Sequence, residues 1–85
     1  MIKKQIKVNL EQGLHIRPAK EFVQLASNFH SAIDVIKNSQ TANGKSILGV
    51  VSLGIVKGET ITLTADGSDE REAIARLEKI FIEVE

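Results

Sequence analysis

The segment Gly13-Leu14-His15-Ile16-Arg17-Pro18 places a histidine between a glycine turn and the start of a helical pattern. A neutral imidazole carries a free lone pair and attacks phosphorus readily. Four N–H groups at a helix start lack intrahelical partners, and the macrodipole sets roughly half a positive charge there. That field disfavours the imidazolium and then favours a dianionic phosphoryl group on the ring. Arg17 adds a guanidinium whose shape matches phosphate oxygens. An exposed loop histidine without any role fits the same position, and residue types alone leave the two readings near balance.

Two further features could carry function. Asn43-Gly44-Lys45-Ser46 reads as a loop ending in a helix N-cap, which by itself explains Ser46. A hydroxyl there is also a reasonable kinase acceptor, because a phosphate of about −1.5 to −2 charges is tolerated at a helix N-terminus. Ile47, Leu48, Val50, Val51 and Leu53 make the next segment more apolar than one short surface helix requires. Either that helix is unusually buried, or Ile47, Leu48 and Val51 form a docking patch.

Other chemistries find less support. His30 is a whole helix away from His15 and has no carboxylate cluster beside it, so it reads as a surface residue and no metal is expected. No cofactor site is evident. A Ser-His-Asp hydrolase would need a nucleophile elbow, which is missing, and a chain of 85 residues has little room to house one. The chain has no cysteine, which removes thiol catalysis, disulfides and thiolate metal sites together.

The formal net charge is zero and neither Tyr nor Trp is present, so nucleic acid is not an expected partner. Charge is nevertheless segregated: residues 1–20 hold Lys3, Lys4, Lys7, Arg17 and Lys20 against Glu11, while residues 66–85 are mainly acidic. No apolar run approaches a membrane span and MIKKQIKV lacks the apolar core of a signal peptide, so the default expectation is cytoplasmic. A chain this small forms one domain, residues 1–85, and buries only about 60–65% of its unfolded surface. Chemistry then belongs on the surface, completed by a partner.

The elements that must position these residues follow from periodicity. Apolar residues at even positions from Ile2 to Leu10, Lys4 excepted, predict a half-buried strand ended by a turn at Glu11-Gln12-Gly13. Ala19, Phe22, Val23, Ala26 and Phe29 line one side of a helix over 16–29, with Pro18 in its first turn. Strands are predicted at Ala32–Lys37, Gln40–Asn43 and Thr60–Ala65, and a short helix over Ile47–Leu53. Asp69–Val84 reads as a helix, and Asp69 with Glu72 has capping-box spacing. Short strands with one apolar face suggest an α+β two-layer sandwich, an antiparallel sheet covered by helices on one side.

Two of these stretches resemble the HPr family, the histidine-containing phosphocarriers of the bacterial sugar phosphotransferase system. Gly13-Leu14-His15-Ile16-Arg17-Pro18-Ala19 looks like the phosphohistidine motif, and Lys45-Ser46-Ile47-Leu48-Gly49-Val50-Val51-Ser52-Leu53-Gly54 like the serine-site motif. The resemblance implies an open-faced sandwich with a four-stranded antiparallel sheet and three helices on one face. It implies phosphorylation of His15 on Nδ1 by enzyme I and transfer to enzyme II A domains, with Arg17 and the backbone N–H groups of Ile16 and Arg17 holding the phosphate. Ser46 would be a regulatory site for an HPr kinase/phosphorylase, with transcriptional regulators as further partners. Ile16, Lys20, Ile47, Leu48 and Val51 would form the docking surface of a monomeric, non-enzymatic carrier.

Ile16 and Lys20 depart from the small residue or Thr, and the Ala or Thr, usual at those positions. Leu48 and Val51 replace bulkier or more flexible apolar residues, and Gln12 replaces a short capping side chain. His15 is retained, which argues against the regulatory relatives that lack it. The alternative is an HPr-like regulatory module that acts mainly through Ser46 and protein docking.

Overall fold

The computed structural model describes residues 1–10, 14 and 16–82. Its elements are β1 (Ile2–Lys7), α1 (Ile16–Ala26), β2 (Ala32–Lys37), β3 (Gln40–Asn43), α2 (Ile47–Ser52), β4 (Thr60–Asp66) and α3 (Glu70–Ile82). The four strands form one antiparallel sheet in the order β1-β4-β2-β3. The three helices cover one face, giving the open-faced sandwich.

Strand register explains which face is covered. Ile6 pairs with Ile61, Ile33 with Ala65, and Leu63 with Val35, which in turn faces Ala42 across β3. These side chains share one side of the pleat and are all buried. Lys4, which interrupts the alternation, pairs with Leu63 and therefore also points toward the helices. Its Nζ lies 2.8 Å from Glu78 Oε1 on α3. An inward-pointing lysine on an edge strand keeps that edge from pairing with other chains.

Against this sheet, α3 packs on β1 and β4, and α1 packs on both α2 and α3. α1 buries Ala19, Phe22 and Ala26, and α3 buries Ala73, Ile74, Leu77 and Phe81. Phe22 and Phe81 meet edge-to-face with ring centroids 5.3 Å apart. Such a pair contributes about 0.5–1.5 kcal/mol beyond its buried area.

Several boundaries differ from the sequence reading, α2 ending at Ser52 rather than Leu53 and β4 at Asp66 rather than Ala65. β1 ends at Lys7 rather than running to Leu10, although Val8 stays buried and its N–H donates to the Glu59 carbonyl. α1 ends at Ala26 rather than Phe29, because Asn28 and Phe29 donate to carbonyls three residues back and tighten the chain into a turn. α3 begins at Glu70, and Val84 lies outside the described residues, as does the turn expected at Glu11-Gln12-Gly13.

The capping-box reading of Asp69 and Glu72 is also corrected. Asp69 does cap α3 through its carbonyl, which accepts from the Ala73 N–H. Its carboxylate, however, reaches across the molecule and accepts the N–H groups of His30 and Ser31 at 2.8 and 3.0 Å and the Ser31 hydroxyl at 2.5 Å. Glu72 instead lies near Arg76, and Glu70 accepts the Gly67 N–H. His30 contributes only its main chain to this contact, so Ser31, His30 and Asp69 do not form a hydrolytic triad. Gly67 is required here, since a Cβ on it would stand 2.6 Å from Ser31 Cα.

The Ser31 hydroxyl and the His30 N–H hold the Asp69 carboxyl down at about 2. Its unfolded value is about 3.9, so the unfolded chain binds more protons in between, and the stabilisation is present above pH ~4 and lost as pH falls toward 2. Asp69→Asn is therefore expected to melt at a lower temperature than the parent at pH 7, with the gap narrowing between about pH 4 and pH 2. A gap that stays constant across that range would show that the carboxylate charge is not what holds the 30–31 segment.

Candidate functional site

His15, with Glu11, Gln12 and Gly13, lies outside the described residues, so the site is built from what flanks it. On one side Leu14 is buried and its N–H donates to the Ile55 carbonyl at 2.9 Å. On the other, Ile16 opens α1 and is 68% exposed. The chain thus passes from an anchored core residue to the surface within two positions.

α1 sets what stands outside. Ala19, Phe22 and Ala26 recur at three- and four-residue spacing and face the core. That orientation leaves Ile16, Arg17 and Lys20 exposed on the opposite side of the first turn. The proline at position 18 biases Arg17 away from helical dihedrals, yet Arg17 is helical here, and Pro18 falls where its missing N–H has no intrahelical partner. No hydrogen-bond partner of the Ile16 and Arg17 N–H groups is found among the described residues. Neither Arg17 nor Lys20 forms an ion pair there, and the first turn of α1 holds no acid. Among the described residues no acid pairs with the positive potential of this helix start.

Ser46 is the N-cap of α2. Its backbone is extended, with φ −116° and ψ 114°, and its Oγ accepts the Gly49 N–H at 3.2 Å. The loop leading to it is pinned twice: Asn43 Oδ1 accepts the Lys45 N–H, and Lys45 Nζ donates to the Phe29 carbonyl at 2.8 Å. This lysine, which the sequence reading left without a role, ties the start of α2 to the turn that follows α1. Its partner is sixteen residues away in sequence, so no local pattern marks it.

α2 is apolar on a buried side and on an exposed one. Val50 and its C-cap Leu53 are buried, whereas Ile47 is 39% and Leu48 78% exposed, with Val51 half-buried between them. Ile16, Ile47 and Leu48 are three of the six large hydrophobic residues exposed among the described residues. All three sit on α1 and α2, which pack against each other. His30 is exposed beyond the far end of α1. No group of three or more His, Asp or Glu side chains able to hold a metal occurs among the described residues.

A family model described as the PTS HPr component phosphorylation site matches residues 2–83. The chain belongs to the HPr family. It is 46% identical over 85 residues to the phosphocarrier protein HPr of Buchnera aphidicola subsp. Schizaphis graminum, covering all of both chains. It is 48% identical, again over all of both chains, to the HPr-like protein Crh of Halalkalibacterium halodurans. Among solved structures it resembles the phosphocarrier protein HPr from Bacillus anthracis, with TM-score 0.91 and 44% identity over 94% of this chain and 95% of that one. Membership makes this protein an HPr-family phosphocarrier. No helix among the described residues is long and apolar enough to cross a membrane.

The N-cap geometry makes a direct prediction. Ser46→Ala is expected to lower stability in urea unfolding by about 0.5–2 kcal/mol, whereas Ser46→Asp, an equally good cap, stays close to the parent. Equal stability of the alanine variant and the parent would show that the hydroxyl does not cap α2.

Proposed function

We propose that this protein accepts a phosphoryl group from enzyme I on Nδ1 of His15 and passes it to enzyme II A domains in phosphoenolpyruvate-dependent sugar uptake. The observation that carries this reading is the exposed start of α1, where N–H groups without a partner among the described residues and the Arg17 guanidinium adjoin position 15 in sequence. The neutral ring supplies the lone pair. A nitrogen–phosphorus bond forms as the donor's bond to phosphorus breaks, and the dianionic group gains the helix-start amides and Arg17. Transfer onward reverses the step on a new acceptor. The protein needs no turnover of its own, and as a cytoplasmic monomer it offers one face to successive partners.

The docking face in this reading is Ile16, Lys20, Ile47, Leu48 and Val51. Exposed Leu48 and Ile16 supply apolar anchors, while Lys20 and Arg17 match an acidic partner and speed encounter. Ser46 adjoins Ile47 and Leu48 at the cap of α2. Phosphate added there by an HPr kinase/phosphorylase sets negative charge beside the docking residues and opposes an acidic partner with little effect on the fold.

A second reading, a regulatory module working mainly through phosphorylated Ser46 and docking to transcriptional regulators, is favoured by the identity to an HPr-like protein named Crh. Retention of His15 favours the carrier role as the principal one. Incubation with enzyme I and labelled phosphoenolpyruvate is expected to place an acid-labile, base-stable phosphate on the parent and none on His15→Ala. Equally labile phosphate on the alanine variant would contradict the assignment.

A further inference from the structure

We infer that Lys37 is a positioning residue for phosphoryl transfer, holding the end of α2 and the segment that anchors Leu14 in one geometry. Lys37 is the last residue of β2, and its side chain is only 16% exposed, unusual for a lysine. Its ammonium donates to the carbonyls of Leu53 at 3.0 Å and Gly54 at 2.8 Å, and lies 3.1 Å from Glu59 Oε1. All three of its N–H donors can be used by these partners.

The placement answers a need of α2. The C-terminal end of a helix favours a cation, and α2 has no basic residue in its last turn. Lys37 supplies that charge from the neighbouring strand. Gly54, which follows the cap, adopts φ 61°, a left-handed conformation suited to glycine. That turn brings two successive carbonyls onto one ammonium.

The same contact reaches toward position 15. Glu59, drawn to Lys37, accepts the Val56 N–H at 2.8 Å, and its own N–H donates to the Val56 carbonyl. Between Gly54 and Val56 lies buried Ile55, whose carbonyl receives the Leu14 N–H. Lys37 and Glu59 therefore close a clamp on residues 53–56, with the docking helix on one side and the anchor of the phosphohistidine segment on the other. Neither residue is on the exposed faces of α1 and α2 that would meet a partner, so its effect acts through placement of those that are.

This inference rests on the carrier reading, and its test separates the two. Lys37→Met keeps the length and apolar stem of the side chain and removes the ammonium. With enzyme I and phosphoenolpyruvate, the KM for this variant as phosphoryl acceptor is expected to rise roughly 3- to 10-fold, the size of one ordinary hydrogen bond because the effect is indirect, with kcat changed less than about twofold. Lys37→Arg is expected to restore most of the KM. Amide hydrogen exchange in Lys37→Met should quicken at Leu14 and Val56 while Leu63 and Val35 in the sheet centre keep parental rates. Glu59→Gln, which retains an acceptor for Val56, should show the same pattern more weakly. Parental KM, parental exchange at Leu14 and Val56, or faster exchange throughout the sheet would each overturn the inference. A parent chain that takes no phosphate overturns the carrier reading, and the exchange pattern then decides the clamp alone.

Discussion

The burial of Ala19, Phe22 and Ala26 determines almost everything about the site. With one stripe of α1 committed to the core, the helix has a single orientation, and its first turn must present Ile16, Arg17 and Lys20 to solvent. Leu14 is fastened to Ile55 just before this turn, so the chain enters the helix from a fixed point. A protein of 85 residues has no interior to spare for a pocket. In the proposed carrier role it would use instead the dipole and amides of a helix start, made specific by an arginine two residues along the sequence from the histidine.

Charged side chains hold the parts of the surface that the core does not reach. Lys45 caps the Phe29 carbonyl, Asp69 gathers the amides of His30 and Ser31, and Lys37 gathers the carbonyls of Leu53 and Gly54. Each joins a loop or helix end to a distant segment through a charge-assisted hydrogen bond, the stronger kind. Lys45 and Lys37 hold the two ends of α2, whose buried Val50 and Leu53 join the core, while Asp69 holds the start of α3 to the segment after α1.

Much of this architecture was legible in the sequence. The change of period from two to 3.6 locates β1, α1 and α3, and the β-branched alternation of Thr60–Ala65 locates β4. Lys4 looked like an interruption only because its partner, Glu78, comes from the far end of the chain. The same distance hid the true role of Asp69: capping-box spacing is a local pattern, and the groups that claim its carboxylate are 38 and 39 residues away. Phe29 misled in another way, being buried yet outside the helix whose stripe it continues. Of the site, the helix start and the N-cap followed from residue types, while burial of α2 and a docking patch on Ile47, Leu48 and Val51 stood as alternatives. The partners and the addition of Ile16 and Lys20 to the docking set came from the family resemblance, since no periodicity records what a surface binds.

The central proposal is that incoming phosphate is received at the start of α1, against which α2 packs. The most direct measurement follows backbone amide resonances while enzyme I and phosphoenolpyruvate phosphorylate the chain. The account predicts the largest shifts at Ile16 and Arg17, smaller ones across Ile47–Val51, and parental positions for Asp69 and the start of α3. Largest shifts at the start of α3, with Ile16 and Arg17 unmoved, would contradict it.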